Sequence, residues 1–97
     1  MAELRFEWDS RKAAANLAKH GVSFEEAQTA FSDESALLLE DPEPVDAEDR
    51  FILLGLSARL RVLVVVHCYR EADTVIRLIS ARKADRLERQ QYVRRNS

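Results

Sequence analysis

The sequence predicts an α+β fold in which a small, mostly antiparallel sheet packs against an N-terminal helical hairpin and a C-terminal helix. Three apolar runs separated by short polar turns predict the sheet. Two helical patterns precede these runs and a third follows them. The chain has 97 residues, 46% of them hydrophobic, with two glycines and two prolines. This composition indicates one compact unit, so residues 1–97 are expected to form a single domain.

The first two elements are a short strand and a helix. Alternation of apolar and charged residues predicts a strand over Leu4 to Trp8. Asp9 or Ser10 then caps a helix, which ends near His20 because Gly21 suits the left-handed conformation that closes a helix. The predicted apolar face of this helix consists of Ala13, Ala14 and Leu17.

A second helix follows after a short turn. Ser23 and Glu26 predict a capping box, in which each side chain binds a free backbone amide of the first turn. The inward residues are expected to be Ala27, Ala30 and Phe31. Two helices so close together also resemble a DNA-binding helix-turn-helix. However, residues 24–32 contain two Glu and no Lys or Arg, which would repel DNA phosphates, so a plain helical hairpin is favoured.

The remaining elements are strands and one helix. Residues 36–39 predict a strand, and Glu40 to Asp49, with both prolines and six acidic residues, predicts an exposed connection. An antiparallel meander is expected over Phe51 to Leu56, Leu60 to Tyr69 and Val75 to Ala81. The last helix is predicted over residues 84–95. One side of this helix is expected to carry Ala84, Leu87 and Gln91. The opposite side is expected to carry Arg82, Arg86 and Arg89.

The charge is divided unevenly along the chain. Residues 1–49 contain 4 Lys or Arg and 13 Asp or Glu, which gives −9, and residues 50–97 contain 11 and 4, which gives +7. A basic surface of this kind is typical of phosphate-binding proteins. The alternative is that the acidic half neutralises the basic half within the fold.

Three arginines are candidates for a phosphate site, namely Arg61, Arg77 and Arg82. Strand alternation places Arg77 in an apolar row with Val75, Ile79 and Ala81, where an arginine needs a partner. Guanidinium groups bind phosphate in a bidentate manner and can stabilise a phosphoryl group during transfer. The alternative is that Arg77 pairs with a carboxylate of the acidic half and that Arg82 lies in solvent.

His67 and Tyr92 are candidates for proton transfer, and Tyr92 is also a candidate for stacking on a base. The alternatives are a structural role for His67 and packing against the sheet for Tyr92. His20 ends a helix, where a cation is favoured by the helix dipole. Cys68 alternates with valines, which indicates a buried hydrophobic residue. One Cys and two distant His make a poor metal site, so neither a metal nor a cofactor is expected.

The longest aliphatic stretch, Val62 to Val66, is too short to span a bilayer. We therefore expect no membrane association and a cytoplasmic location.

An ordered series of motifs runs through nearly the whole chain. The specific ones are KHGVSF at residues 19–24 and RLISARKA at residues 77–84. The others, in order, are Phe6-Glu7-Trp8-Asp9, Lys12, Asn16, Glu26-Ala27, Glu48 to Arg50, Gly55, residues 61–67, Glu88 and Tyr92. The series resembles the signature of BrnT-type toxins, which are RelE-like ribonucleases of type II toxin–antitoxin systems.

The resemblance implies metal-independent RNA cleavage that inhibits translation, by attack of a ribose 2′-hydroxyl on the adjacent phosphate. Arg61 and Arg77 fit the cationic clamp, and His67 is the first choice for proton transfer, with Tyr92 or Lys19 as substitutes. The expected RNA-binding residues are Lys19, His20, Arg82, Lys83 and Arg86.

The resemblance also implies a BrnA-like antitoxin, expected in a heterotetramer, which neutralises the toxin and co-represses the operon. Contact with DNA would then be only indirect, through the antitoxin. The competing hypothesis is a catalytically inactive interaction module that acts within a transcriptional repressor complex.

Overall fold

The computed structural model describes residues 4–41 and 49–96, which form a five-stranded sheet with helices on both faces. The strands are β1 (Arg5–Glu7), β2 (Leu37–Glu40), β3 (Phe51–Leu56), β4 (Val62–Arg70) and β5 (Val75–Lys83). The helices are α1 (Ser10–His20), α2 (Phe24–Thr29) and α3 (Arg86–Arg95), and one turn of 3-10 helix (Ala30–Ser32) follows α2. The predicted α+β class is therefore confirmed.

The strand order is β1-β5-β4-β3-β2. The predicted meander is confirmed, because β3, β4 and β5 pair antiparallel in sequence order, and β2 pairs antiparallel with β3. β1 pairs with β5 in parallel, with Glu7 opposite Arg77. Most of the predicted connection between β2 and β3, residues 42–48, lies outside the described residues.

Local sequence signals explain the ends of the first two helices. The Asp9 side chain accepts hydrogen bonds from the backbone N–H groups of Arg11 and Lys12, and Gly21 closes α1 with φ 69°. The Ser23 hydroxyl accepts from the N–H of Glu26, as predicted. The other half of the predicted capping box is wrong, because the Glu26 carboxylate binds Ser57 and Arg61 instead. A complete capping box is formed at α3, between Asp85 and Glu88.

The larger core lies between the sheet and α1 and α2, which we call the α1–α2 face. Its fully buried residues include Val22, Phe24, Leu63, Val65 and Leu78. Burial of these side chains removes their apolar surface from water, which favours folding. Ala27 and Ala30 belong to this core and Phe31 packs against it, as predicted.

Asn16 attaches α1 to the sheet on this face. Its amide nitrogen donates to the carbonyls of Val22 and Ala81, and its oxygen accepts from the Ala81 N–H. The predicted apolar face of α1 is partly wrong, because Leu17 is 51% exposed and Ala14 is exposed. A buried amide with three hydrogen bonds therefore replaces the expected leucine contact.

The opposite face of the sheet, which we call the α3 face, carries a smaller core. Leu54, Val64 and Ala84 are buried there, with Tyr92 packed against them. Leu87, predicted on the inner side of the last helix, is 71% exposed, and Gln91 is exposed. The helix contacts the protein through Glu88 and Tyr92 instead, which are its two half-buried residues.

A bulge in β5 changes which side chains share a face. Val66 lies opposite Ser80 and His67 lies opposite Leu78, so Ile79 has no partner. The extra residue shifts the alternation along the strand. Ala81 therefore lies in the α1–α2 core, and the predicted row that placed it beside Arg77 is wrong.

None of the described helices combines the length and apolar character needed to cross a membrane.

Candidate functional site

The three candidate arginines do not converge. Arg61 precedes β4 and binds Glu26 of α2, so it lies on the α1–α2 face. Arg77 lies opposite Cys68, and Arg82 lies opposite Val64, so both lie on the α3 face. Their partners on β4 are four residues apart, which separates Arg77 from Arg82 by about 13 Å at the rise of an extended strand. The expected clamp of Arg61 and Arg77 is therefore not formed.

Arg61 is held by an ion pair with Glu26. Its Nε lies 2.9 Å from Oε2 of Glu26, and its Nη2 contacts Oε1 and also donates to the carbonyl of Gly21 at 3.2 Å. The Glu26 side chain is 4% exposed and also accepts from the Ser57 hydroxyl at 2.7 Å. The hydrogen bonds from Arg61 lower the pKa of Glu26, so the carboxylate stays ionised despite its burial. This pair joins α2 to β4.

His67 has no exposed surface. Its Nδ1 lies 3.1 Å from the Val65 carbonyl, which can only accept, so Nδ1 carries the proton and Nε2 accepts from the Tyr69 hydroxyl at 3.3 Å. Phe31 and Phe51 surround the ring. Burial lowers the pKa of His67, which favours the neutral imidazole. The structure therefore gives His67 no route to a substrate.

Tyr92 anchors α3. Its hydroxyl donates to Oδ2 of Asp33 at 2.6 Å, and the same oxygen accepts from the N–H of Leu56 at 2.8 Å. The hydrogen bond to Asp33, with burial, raises the pKa of Tyr92 to about 12. A phenol that holds its proton this firmly is a poor acid near neutral pH.

A carboxylate between two guanidinium groups stands on the α3 face. Oε1 of Glu7 lies 3.4 Å from Nη1 of Arg77 and 3.5 Å from Nε of Arg70. The Glu7 side chain is 42% exposed and that of Arg77 is 31% exposed. We call these three residues the Glu7 cluster. Arg77 thus pairs with a carboxylate of the acidic half of the chain, and the site stays accessible to solvent.

The cluster forms because three strands meet in register. Glu7 on β1 lies opposite Arg77 on β5, and Arg77 lies opposite Cys68, two residues before Arg70 on β4. Side chains two residues apart on a strand point to the same face. The sequence identified Arg77 but assigned no role to Glu7 or Arg70. The only signal for Glu7 was its place in the Phe6-Glu7-Trp8-Asp9 motif.

A second ion pair lies farther along the α3 face. Arg82 binds Glu88 through two parallel hydrogen bonds of 2.7 and 2.8 Å. This contact lowers the pKa of Glu88 and raises the pKa of Arg82. The predicted solvated state of Arg82 is therefore only partly correct, since its side chain is 43% exposed but paired.

The other predicted RNA-binding residues are divided between the two sides. Arg86 is exposed at the start of α3, on the same side as Arg82. Lys19 and His20 end α1, next to Gly21, and so belong to the side of Arg61. Lys83 is exposed at the end of β5. Within residues 4–41 and 49–96, no three His, Cys, Asp or Glu side chains are grouped as metal ligands would be.

Comparison with known proteins identifies the family. The profile of the family described as "Ribonuclease toxin, BrnT, of type II toxin-antitoxin system" matches residues 8–88. The chain belongs to the BrnT family. The fold is also similar to the 1.1 Å crystal structure of the Brucella abortus ribonuclease toxin BrnT, with 25% sequence identity and a TM-score of 0.64. That match covers 86% of this chain and 99% of the Brucella chain. No curated protein sequence gives a significant match.

Membership in this family makes the chain a ribonuclease toxin of a type II toxin–antitoxin system, which implies an antitoxin partner. The family signature therefore leads to the same conclusion as the motifs in the sequence.

Proposed function

We propose that this BrnT-family chain is a metal-independent endoribonuclease with a RelE-like arrangement, and that its active site is the Glu7 cluster. One observation carries the proposal: a carboxylate is held between two arginines on an accessible part of the sheet. Two of the other proton-transfer candidates lack this access, because His67 is buried and Tyr92 is bound to Asp33. The third, Lys19, is exposed but lies in the last turn of α1, on the side of Arg61 and away from the cluster.

The cluster supplies the two groups that the reaction needs first. The Glu7 carboxylate takes the proton of a ribose 2′-hydroxyl, and the 2′-oxygen attacks the adjacent phosphorus. Arg77 and Arg70 bind the phosphate oxygens, where negative charge develops in the transition state. The bond from phosphorus to the 5′-oxygen breaks, and the leaving oxygen takes a proton from solvent. The products are a 2′,3′-cyclic phosphate and a 5′-hydroxyl end.

The RNA strand extends from the cluster towards α3. Arg82 and Arg86 lie on that side, and phosphate contacts of this kind supply affinity without sequence preference. Lys83 follows Arg82 in β5 and lies opposite Leu63 of the α1–α2 core, so it faces the other side of the sheet and has no role in this RNA path. Lys19 and His20 lie beside Arg61 and have no role in this RNA path.

The biological setting is inhibition of translation in the cytoplasm. We propose that the antitoxin is of the BrnA type, that the two proteins form a heterotetramer, and that the complex represses its own operon. DNA then contacts only the antitoxin. The alternative, an inactive interaction module, gains some support because every candidate arginine already has a carboxylate partner.

The test is cleavage of RNA by the purified chain in the presence of a metal chelator. We expect cleavage products with 2′,3′-cyclic phosphate ends. Glu7→Gln is expected to lower the rate about 100-fold or more, because general bases contribute factors of that size. Glu71→Gln is the matched control, since Glu71 is also exposed and paired with an arginine but lies outside the cluster.

Cleavage by Glu7→Gln at the unchanged rate would remove Glu7 from the mechanism. Cleavage that stops on addition of the chelator would contradict metal independence. A folded chain that leaves RNA intact, yet tightens operator binding by the antitoxin, would favour the inactive module.

A further inference from the structure

The two edges of the sheet differ in how they are protected. β1 is three residues long and carries Arg5 and Glu7, and such short charged edges resist pairing with another strand. β2 has the sequence Leu-Leu-Leu-Glu, and Leu38 and Leu39 are 52% and 45% exposed. No described strand lies beyond β2. An apolar edge of this kind is suited to accept a strand from a partner.

The outward-directed hydrogen-bonding groups of β2 can be assigned from its register. The N–H of Asp41 donates to the carbonyl of Arg50, so residues 41 and 39 direct their backbone groups at β3. The backbone groups of Leu38 and Glu40 then point away from the sheet. An added strand would pair with these two residues.

The two sides of this edge differ in charge. On the α3 face, Leu37 and Leu39 line a groove with Arg94 and Arg95 of α3. On the α1–α2 face, Leu38 is followed by the exposed acidic side chain of Glu40. A partner strand therefore fits best with acidic side chains towards α3 and apolar side chains towards Leu38.

A second copy of this chain is a poor occupant. Two β2 edges related by a two-fold axis perpendicular to the sheet would place both α3 helices on the same side of the joined sheet. Arg94 and Arg95 of the two copies would then lie near each other, and like charges disfavour such a contact.

We propose that the β2 edge is the docking site for an extended segment of the antitoxin, which adds a strand to the sheet and places acidic side chains against Arg94 and Arg95. The identity of the partner rests on the proposed function, whereas the docking surface does not depend on where RNA is cleaved. The site leaves the Glu7 cluster uncovered, because β2 and β1 are at opposite edges of the sheet.

Hydrogen exchange of the full chain with and without the antitoxin encoded beside its gene tests the pairing directly. In the complex, the amides of Leu38 and Glu40 are expected to become protected, because they gain carbonyl partners. Unchanged exchange at both amides in a formed complex would overturn the proposal.

Two variants test the same contact through affinity. Leu38→Pro removes an outward N–H and no hydrogen bond to β3, so we expect roughly tenfold weaker antitoxin binding with β2 still paired. Arg95→Glu is expected to weaken binding by a similar factor. Its control is Arg86→Glu, which makes the same charge change on α3 outside the groove.

The outcomes separate this proposal from the proposed function. Variants that still cleave RNA but escape neutralisation support the docking site. Unchanged antitoxin affinity for both Leu38→Pro and Arg95→Glu would overturn it, even if RNA cleavage is confirmed. A third outcome is a dimer of the free chain in sedimentation that is lost in Leu38→Pro while antitoxin affinity stays unchanged. This outcome would assign the β2 edge to self-association and would also overturn the proposal.

Discussion

The two faces of the sheet contain similar residues in different environments. On the α1–α2 face, Arg61 is paired with Glu26, whose side chain is 4% exposed, and both hold α2 against β4. On the α3 face, Arg77 shares Glu7 with Arg70, and all three side chains are at least 31% exposed. Both ion pairs contain arginine, but only the Glu26 carboxylate is buried. Burial of the carboxylate therefore separates a structural ion pair from one that is accessible to a substrate.

Arg61→Ala should have the largest effect on stability. It leaves the Glu26 carboxylate buried without its main partner, which is expected to cost about 3 kcal/mol of unfolding free energy. Urea unfolding at neutral pH measures this loss. Arg59→Ala is the control, because Arg59 is 72% exposed and 3.9 Å from Glu26, and its loss is expected to change stability by less than about 0.5 kcal/mol.

The opposite result would reverse the assignment of the two faces. If Arg61→Ala unfolds at the same urea concentration as the unmodified chain but no longer cleaves RNA, Arg61 belongs to the reaction and not to the core.

Tyr92→Phe should have a smaller effect, with a pH dependence that identifies it. Loss of the hydrogen bond to Asp33 is expected to cost about 1.5 kcal/mol near neutral pH. Because the folded chain raises the pKa of Tyr92 to about 12, its contribution is complete below the unfolded value of about 10 and is lost as pH rises through 12. The unmodified chain should therefore lose stability over this range, and Tyr92→Phe should lose less.

Thermal unfolding between pH 9 and pH 12 provides the measurement. Leu87→Ala, a change on the exposed side of α3, should leave the pH dependence as it is. Equal alkaline losses in the unmodified chain and in Tyr92→Phe would show that the hydroxyl does not anchor the helix.

Arg86→Gln should have the smallest effect, and only on RNA affinity. Removal of one phosphate contact is expected to reduce the slope of log affinity against log salt concentration by about 0.7 for single-stranded RNA. Titration of a non-cleavable RNA at several salt concentrations measures it. An identical slope would exclude Arg86 from the RNA path and confine binding to the Glu7 cluster and Arg82.

Local signals in the sequence were sufficient for most of the secondary structure. Asp9 caps the start of α1 and Gly21 ends it, as predicted. The polar turns at residues 57–59 and 71–73 separate the three strands of the meander. These features depend on residues that are neighbours in the chain. The destination of Glu26 was not predictable in this way, because Arg61 competes for its carboxylate from 35 positions away.

The site was harder to predict than the fold. Glu7 meets Arg77 only because β1 pairs in parallel with β5. No local pattern indicates this pairing, because the two strands are far apart in the sequence. The bulge at Ile79 also changed the row of side chains that shares a face with Arg77. His67 has the residue type of a proton-transfer group, yet its burial behind Phe31 and Phe51 could be known only from the packing.

The rate of RNA cleavage by folded Arg77→Ala protein in the presence of a metal chelator tests the position of the active site most directly. Arg5→Ala is the control on the same face. We expect a loss of about 100-fold or more for Arg77→Ala, because a group that stabilises the transition-state charge is removed. The control should cleave at nearly the unmodified rate. An Arg77→Ala protein that cleaves RNA as fast as the unmodified chain would contradict the placement of the active site on the α3 face.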